Sequence, residues 1–199
     1  MITSLDQLDM EKTYSYADYL TWKFDEYVEL IRGKISRMGA PLRAHQFASS
    51  NIFGELYVFL KNHQCHVYAA PFDVRLHNFK KSAKDKDVKT VVQPDICVVC
   101  DLSKLDKRGC VGAPDLIVEI LSKGTQKKDY SEKLELYEQN LVKEYWIVSP
   151  QDRILMAFDL NENNKYQFRK VYTDDEKVPS SVLEGFELDM NKVFLQENE

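Results

Sequence analysis

Apolar residues recur along the chain with two different periods, and together these predict an α/β fold. The runs Val91–Cys100 and Leu116–Leu121 are almost wholly aliphatic, which is typical of central strands covered on both faces. From His45 to Lys61 apolar residues return at helical spacing, and a second stripe of this kind follows Ser131. We therefore expect a central mixed sheet flanked by helices, with the two aliphatic runs as neighbouring strands.

Further strand-like runs lie on both sides of this core. Residues 27–35 form two short runs around Gly33, which predicts an N-terminal hairpin. The run Cys65–Leu76 predicts one more strand. After a strand at Glu144–Val148, two runs separated by an Asn-rich turn at residues 161–164 predict a C-terminal β-meander.

The composition agrees with a single folded unit. The chain has 199 residues, 44% of them hydrophobic, with only seven glycines and six prolines, so it can bury one sizeable core. We expect one domain spanning residues 1–199. No apolar run approaches the roughly 20 residues that cross a bilayer, and the N-terminus does not resemble a signal peptide. We therefore expect a cytoplasmic protein without a membrane segment.

Cysteine spacing raises the question of a metal or disulfide framework. Cys97 and Cys100 form a CxxC pair, but strand alternation points them to opposite faces, which disfavours a shared zinc ion. We expect all four cysteines to be reduced thiols, those of the aliphatic run packed in the core.

The charge is unevenly distributed. The net charge is −5, but residues 80–128 carry eleven Lys or Arg against seven Asp or Glu, a local balance of +4 that leaves −9 for the remainder. The overall charge argues against a general polyanion binder. The basic middle permits a local nucleic-acid surface, and a solvated Lys-rich loop is the other interpretation.

Two carboxylates interrupt the aliphatic runs. Asp95 and Glu119 lie inside them, where an ionised carboxylate costs several kcal/mol unless it is compensated. A divalent cation would compensate both acids at once, since hard oxygen ligands suit Mg²⁺. An Arg or Lys partner for each acid, or a strand end in water, remains the alternative.

Seven segments, in order along the chain, resemble the Uma-type family of restriction endonucleases, which belongs to the PD-(D/E)xK nuclease superfamily. Four of them carry the core motifs: Gln93-Pro94-Asp95, residues 113–122 (APDLIVEILS), residues 133–137 (KLELY) and residues 144–148 (EYWIV). The other three lie upstream: residues 27–33 (YVELIRG), His45-Gln46 and residues 70–76 (APFDVRL). The resemblance covers almost the whole chain.

This resemblance implies the restriction-endonuclease-like fold and a metal-dependent DNA endonuclease. It makes Asp95 the Asp of the superfamily signature and Glu119 its second acid, both as ligands of a catalytic Mg²⁺ or Mn²⁺. The signature lysine would fall two residues after Glu119, but Leu121 stands there. Lys133 on the following helix is the candidate replacement, since the helix stripe at Leu134 and Tyr137 keeps it beside the sheet.

Other interpretations stay open for Lys133, which could be an ordinary solvated lysine or pair with Asp129. Glu29, His45 and Asp73 are second-rank site candidates. Each also has a structural interpretation: Glu29 could pair with Lys34 across the hairpin, His45 could be a satisfied structural histidine, and Asp73 could pair with Arg75.

Three functional hypotheses follow. The first is Mg²⁺-dependent hydrolysis of DNA phosphodiester bonds. The second is a non-catalytic module that binds nucleic acid or another partner and keeps the nuclease fold, and it predicts weak metal binding or none. The third is hydrolysis of another phosphodiester, because a fold does not fix a substrate. The sequence contains no separate DNA-reading motif, so we expect a homodimer or larger homo-oligomer.

Overall fold

The computed structural model describes residues 2–77, 84–122 and 128–195, the side chains of residues 128–130 excepted. The helices are α1 (Tyr16–Tyr19), α2 (Arg43–Leu60) and α3 (Lys128–Gln139), with 3₁₀ turns at Leu5–Gln7, Leu102–Lys104 and Met190–Lys192. The strands are β1 (Val28–Ile31), β2 (Lys34–Arg37), β3 (His66–Ala69), β4 (Val74–Leu76), β5 (Thr90–Val92), β6 (Ile96–Val99), β7 (Leu105–Asp106), β8 (Gly109–Val111), β9 (Leu116–Ile120), β10 (Glu144–Ser149), β11 (Ile154–Leu160), β12 (Tyr166–Tyr172), β13 (Lys177–Pro179) and β14 (Glu187–Asp189).

The described strands form two six-stranded mixed sheets and one small pair. The central sheet has the order β12-β11-β10-β9-β6-β3, and the hairpin sheet has the order β2-β1-β5-β4-β8-β7. In the central sheet β9 and β10 run parallel while the other neighbours are antiparallel. Every residue of β9 and β10 is buried, as expected of strands covered on both faces.

Helix α2 covers one face of the central sheet. Its buried stripe of Ala48, Ile52, Leu56 and Leu60 packs in one core cluster with β6, β9 and β10. The C-terminal segment from Leu183 to Phe194 contributes to the same cluster, an extension of the core that the sequence patterns do not reveal. The helix has the predicted position, within two residues at its start and one at its end.

The opposite face of the central sheet meets α3 and the hairpin sheet. Leu136 and Tyr137 of α3 pack in a second cluster with Ile117 and Ile147 of the central sheet and with Val74 of the hairpin sheet. Tyr130, which the sequence places on the same helical stripe, has a side chain outside the described set. The molecule therefore has helix, sheet and sheet-plus-helix layers, and the central sheet is the middle one.

The predicted hairpin and meander are confirmed. β1 and β2 pair antiparallel around Arg32 and Gly33, and Gly33 adopts a positive φ of 83° that suits glycine. β10, β11 and β12 pair in sequence as an antiparallel meander.

Two predicted single strands are each divided in the structure. The run Val91–Cys100 contains β5 and β6, which belong to different sheets, so only β6 is the neighbour of β9. Pro94 lies at the break, where its ring removes a backbone donor and fixes φ. The run Cys65–Leu76 is likewise divided into β3 and β4 around Pro71. The first break moves the chain from one sheet to the other directly before Asp95.

The prediction of four reduced cysteines is wrong for two of them. Cys65 and Cys100 form a disulfide, whereas Cys97 and Cys110 are free and buried. The β3–β6 register pairs His66 with Val99, which brings the residues just beyond those strand ends opposite each other. That register cannot be obtained from cysteine spacing. The expectation that Cys97 and Cys100 face opposite ways holds, since they lie in different core clusters.

No helix in the described ranges combines the length and the apolar character that crossing a membrane requires.

Candidate functional site

Glu119 lies near the end of β9 with its carboxylate on the face that meets α3. It is 9% exposed. Its Oε1 atom accepts a hydrogen bond from the ammonium of Lys133 at 2.9 Å and another from the hydroxyl of Tyr137 at 2.5 Å. Lys133 and Tyr137 are one helical turn apart, so α3 delivers both donors to the same oxygen.

The ammonium of Lys133 also reaches the hairpin sheet. It lies 3.1 Å from Oε1 of Glu29 on β1, and the backbone N–H of Gln93 donates to the same oxygen at 2.9 Å. The predicted direction of Lys133 toward the acids is therefore confirmed. The alternative partner Asp129 has a side chain outside the described set.

Glu29 is brought into the site. It is buried, and its carboxylate contacts Lys133 and Gln93. The alternative pairing with Lys34 across the hairpin is wrong, because the ammonium of Lys34 points to the backbone oxygens of Met10 and Glu11.

Asp95 stands directly before β6. Because Ile96 pairs with Val118, the antiparallel register places Asp95 opposite Glu119. Its Oδ2 atom accepts the backbone N–H of Ile120 at 2.7 Å, and its Oδ1 atom lies 3.2 Å from Nε2 of His45. The two acids thus come together on neighbouring strands, although a separation below about 8 Å, the span of one hydrated metal site, stays a prediction.

His45 joins the site from the first turn of α2. Burial lowers the pKa of its imidazole, but the hydrogen bond to Asp95 and the negative charges of Asp95 and Glu119 outweigh burial and raise that pKa above its ordinary value. His45 is therefore biased toward the cationic form beside Asp95. Nε2 of His45 has Asp95 as its partner, but the buried Nδ1 atom has no hydrogen-bond partner among the described residues, so the interpretation as a satisfied structural histidine is met at one nitrogen only. His45 also lines the cavity described below.

The electrostatics of the site are dominated by excess negative charge. Burial raises the pKa of Glu119 to about 7, and the charges of Asp95 and Glu29 act in the same direction, whereas Lys133 and Tyr137 oppose them. Burial alone would lower the pKa of Lys133, but Glu119 and Glu29 raise it well above its ordinary range. Lys133 is therefore a permanent cation that can position groups and neutralise charge but cannot accept a proton.

Asp73 is set apart from these acids. Its carboxylate accepts hydrogen bonds from the hydroxyl of Tyr16 at 2.9 Å and from the side-chain amide of Gln93 at 2.9 Å. It does not pair with Arg75, whose guanidinium forms a two-point contact with Asp106. Gln93 links Asp73 to the site, because its side-chain amide donates to Asp73 and its backbone N–H donates to Glu29.

Sequence reasoning missed the two residues that orient the acids, Tyr137 and Gln93. Tyr137 was recognisable as a buried helical residue four positions after Lys133, a spacing that places the two side chains together. Gln93 precedes Pro-Asp and carries no signal of its own, because its contribution is a backbone N–H group.

A cavity of about 490 Å³ opens at this cluster. Glu29, His45, Asp95, Glu119 and Lys133 all line it. The cavity continues between the β1–β2 hairpin and the first half of α2. All the predicted site residues except Asp73 therefore face one space.

The donor set fits an open site for a hard divalent cation. Within the described ranges, no group of three or more His, Cys, Asp or Glu side chains is placed so that it could hold a metal ion by itself. Asp95 and Glu119 instead offer carboxylate oxygens from opposing strands, each with several lone pairs. Mg²⁺ commonly binds through one or two carboxylates with waters or phosphate as its other ligands. The burial of Glu119, which is the largest cause of its raised pKa, disfavours the ionised carboxylate, and a bound cation would compensate that cost.

The basic middle of the sequence is only partly described. Arg108 pairs with Asp85, and Lys104 donates to the backbone oxygen of Ala113. These two cations are satisfied within the protein. Lys80, Lys81, Lys123 and Lys127 lie outside the described residues.

The two mixed sheets, with an acid pair and a lysine at their junction, define an α/β protein of the restriction-endonuclease-like class. Residues 16–191 match the model of the Uma2 family, described as "Putative restriction endonuclease", and the chain belongs to this family. It is 22% identical over 176 residues to an uncharacterized protein of Synechocystis sp., a match that covers 87% of this chain and 88% of the relative.

A solved structure supports the fold independently. The crystal structure of "a putative nuclease belonging to DUF820" from Anabaena variabilis superimposes with a TM-score of 0.71, at 16% identity, over 90% of this chain and 97% of that chain. At this identity the likeness concerns the fold. The expected restriction-endonuclease-like fold is thereby confirmed.

Proposed function

We propose that this protein is a divalent-metal-dependent nuclease that hydrolyses phosphodiester bonds in DNA. The observation that carries the proposal is the contact of Lys133 with Glu119 across 2.9 Å. It supplies a lysine to the acid pair although Leu121 occupies the signature position. Family membership supports the same class of activity.

Each residue has a role that follows from its contacts. Asp95 and Glu119 would hold Mg²⁺ or Mn²⁺, which when bound supplies a water of lowered pKa and positive charge for the phosphate. Oε2 of Glu119 has no hydrogen-bond partner among the described residues and is left for this purpose, because Lys133 and Tyr137 both occupy Oε1. Glu29 holds Lys133 from the other sheet, so the ammonium is fixed between two carboxylates.

The reaction is a hydrolysis. The oxygen of one water forms a bond to phosphorus, one P–O ester bond breaks, and the leaving oxygen gains a proton. Lys133, as a permanent cation, orients the attacking water and stabilises charge that develops on the phosphate oxygens. His45, biased toward its cationic form, places a second proton donor at the edge of the same cavity.

The test compares nicking of supercoiled plasmid by wild type, Asp95→Ala and Glu119→Ala, each with Mg²⁺, with Mn²⁺ and with a chelator. We expect each substitution to reduce the metal-dependent rate by at least about two orders of magnitude while the protein stays folded. Glu184→Ala is the matched control, because Glu184 is an exposed carboxylate distant in sequence from both acids. It should cut at the wild-type rate.

Other results would reject the proposal. Equal cutting by all variants would place the activity elsewhere. Loss of folding together with activity would make the acids structural. A wild-type protein that binds neither metal by calorimetry would instead be the non-catalytic module.

A further inference from the structure

The cavity is larger than the acid cluster requires. The cavity measures about 490 Å³, which is within the range for small-molecule sites, whereas a single ion with its waters is much smaller. Part of the remaining space is lined by the hairpin and the first half of α2.

We call the surface around this space the hairpin–helix wall. It combines two aromatic rings, two small polar side chains and one further apolar side chain. Its residues are Tyr27, Met38, Gln46, Ser49 and Phe53.

Tyr27 presents its ring to solvent at the cavity. Its side chain is among the most exposed large apolar groups of the described residues, with a relative exposure of 60%. Its backbone oxygen accepts the N–H of Met38 at 3.1 Å, which extends the β1–β2 ladder by one pair. The ring is therefore exposed on a fixed backbone, an arrangement suited to stacking a planar group at low entropic cost.

The polar groups of the wall have no partner among the residues that the structure describes. Gln46 and Ser49 make no side-chain hydrogen bond within that part of the chain. Amide and hydroxyl groups next to an exposed ring are suited to the polar edge of a base.

We propose that the hairpin–helix wall is a subsite for one unpaired nucleotide of single-stranded DNA, adjacent to the phosphate that is cut. The inference rests on the proposed function and extends it to the class of substrate. A base within a duplex has both faces stacked on its neighbours, so it cannot lie against Tyr27 unless it leaves the stack. A single strand, a flap or a frayed end presents such a base without that cost.

The first test measures binding by fluorescence anisotropy with a dye-labelled single-stranded oligonucleotide and with the matched duplex, both in a chelator so that neither is cut. We expect the single strand to bind more tightly. Tyr27→Ala should weaken its binding about tenfold, the effect of losing one base–aromatic stack. Tyr27→Phe keeps the ring and should bind like wild type.

Matched controls separate the wall from the rest of the surface. Phe168→Ala removes another half-exposed ring, on β12 and outside the cavity lining, and should leave binding unchanged. Gln46→Ala should weaken binding several-fold, because it removes an amide suited to the polar edge of a base. Gln167→Ala, at an exposed glutamine outside the lining, makes the same change and should not.

The second test measures cutting of the same oligonucleotides with Mn²⁺. The subsite is supported if wild type cuts the single strand in preference to the duplex, and if Tyr27→Ala raises KM for the single strand with little change in kcat. Cutting with an unchanged KM in Tyr27→Ala overturns the subsite and leaves the nuclease proposal standing. Single-strand binding that depends on Tyr27 but comes without any cutting supports the subsite and overturns the nuclease proposal. A duplex bound as tightly as the single strand, or equal losses in Tyr27→Ala and Phe168→Ala, also overturns the subsite.

Discussion

Two clusters of buried charge lie at opposite ends of the neighbouring strands β9 and β10. They differ in how fully the protein itself satisfies their charges. One is the acid–lysine cluster of Glu29, Glu119 and Lys133. The other, which we call the Glu144 cluster, joins Glu144, Arg169 and Asp159 at the start of β10. Both place carboxylates against a single cation, so their differences show what distinguishes a candidate site from a structural ion pair.

The Glu144 cluster is saturated with donors. Glu144 is fully buried, and its Oε1 atom accepts Nε1 of Trp146 at 2.8 Å and the guanidinium of Arg169 at 2.9 Å. Its Oε2 atom accepts the hydroxyl of Ser180 at 2.6 Å and the N–H of Ser181 at 3.0 Å. Each oxygen of this buried carboxylate therefore has at least two donors, as the burial of a polar group requires.

One acid in each cluster has a shifted pKa, and these two shifts have opposite signs. Burial would raise the pKa of Asp159, but hydrogen bonds from Arg169 and Ser181 lower it below its ordinary value. The pKa of Glu119 is raised to about 7, with burial as the largest cause. The Glu144 cluster is thus complete within the protein, whereas the acid–lysine cluster has unneutralised charge and faces a cavity. Such a combination indicates a functional site.

The largest expected effect is on the saturated cluster. Arg169→Ala removes the cation and leaves Glu144 buried without a charge partner, which should lower the free energy of unfolding by about 3–5 kcal/mol. Urea unfolding measures this loss, and any metal-dependent cutting by the folded fraction should be unchanged. A loss below about 1 kcal/mol would show that the hydroxyl and backbone donors alone stabilise the carboxylate of Glu144. The Glu144 cluster would then not be an example of a structural ion pair.

A smaller loss is expected for the matching change at the candidate site. In Lys133→Met, Glu119 can take a proton, because its pKa is already raised to about 7, so we expect about 2 kcal/mol. Saturating Mg²⁺ should restore more stability to this variant than it adds to wild type, since the ion replaces the lost charge. The measurement is urea unfolding with and without Mg²⁺. A loss as large as that of Arg169→Ala, with no effect of Mg²⁺, would contradict an open cation site.

The smallest expected effect is a pH dependence. Because folding raises the pKa of Glu119 from 4.5 to about 7, this group favours the folded state below its unfolded pKa, and that contribution disappears as the pH rises to about 7. Glu119→Gln mimics the protonated form. Its stability relative to wild type, measured in a chelator, should therefore increase by on the order of 1–2 kcal/mol between about pH 5 and about pH 8.

The Glu144 cluster supplies a control of opposite sign. The lowered pKa of Asp159 stabilises the fold above the unfolded pKa, and this contribution is lost as the pH falls through the folded value. Asp159→Asn should therefore be less stable than wild type at neutral pH, and the difference should shrink in acid. A pH-independent difference for Glu119→Gln would show that its raised pKa does not govern stability.

The parts of the fold that follow from local pattern were predictable. Helix α2, the β1–β2 hairpin and the meander each rest on periodicity or turn chemistry within one segment. Pairing between distant segments was not predictable, because register depends on the partner strand. The separation of β5 from β6 and the Cys65–Cys100 disulfide both arise from such pairing.

The same distinction applies to the candidate site. Asp95 and Glu119 stand out because a charge inside an aliphatic run needs an explanation. Lys133 became the candidate through the family resemblance, which implies a lysine at the position of Leu121, and helical spacing then kept Lys133 beside the sheet. Glu29 had two open interpretations, because its contact with Lys133 spans 104 residues. Metal binding, DNA cleavage and the expected homo-oligomer stay predictions.

The move of the chain from one sheet to the other at Gln93-Pro94-Asp95 affects the order in which the molecule can fold. Glu29 binds both the N–H of Gln93, 64 residues away, and the ammonium of Lys133, 104 residues away. Contacts of such long sequence separation pay a large loop-closure entropy and form late. We therefore expect the acid–lysine cluster to form only after both sheets have docked, so a partly folded chain would not yet hold its reactive groups in position.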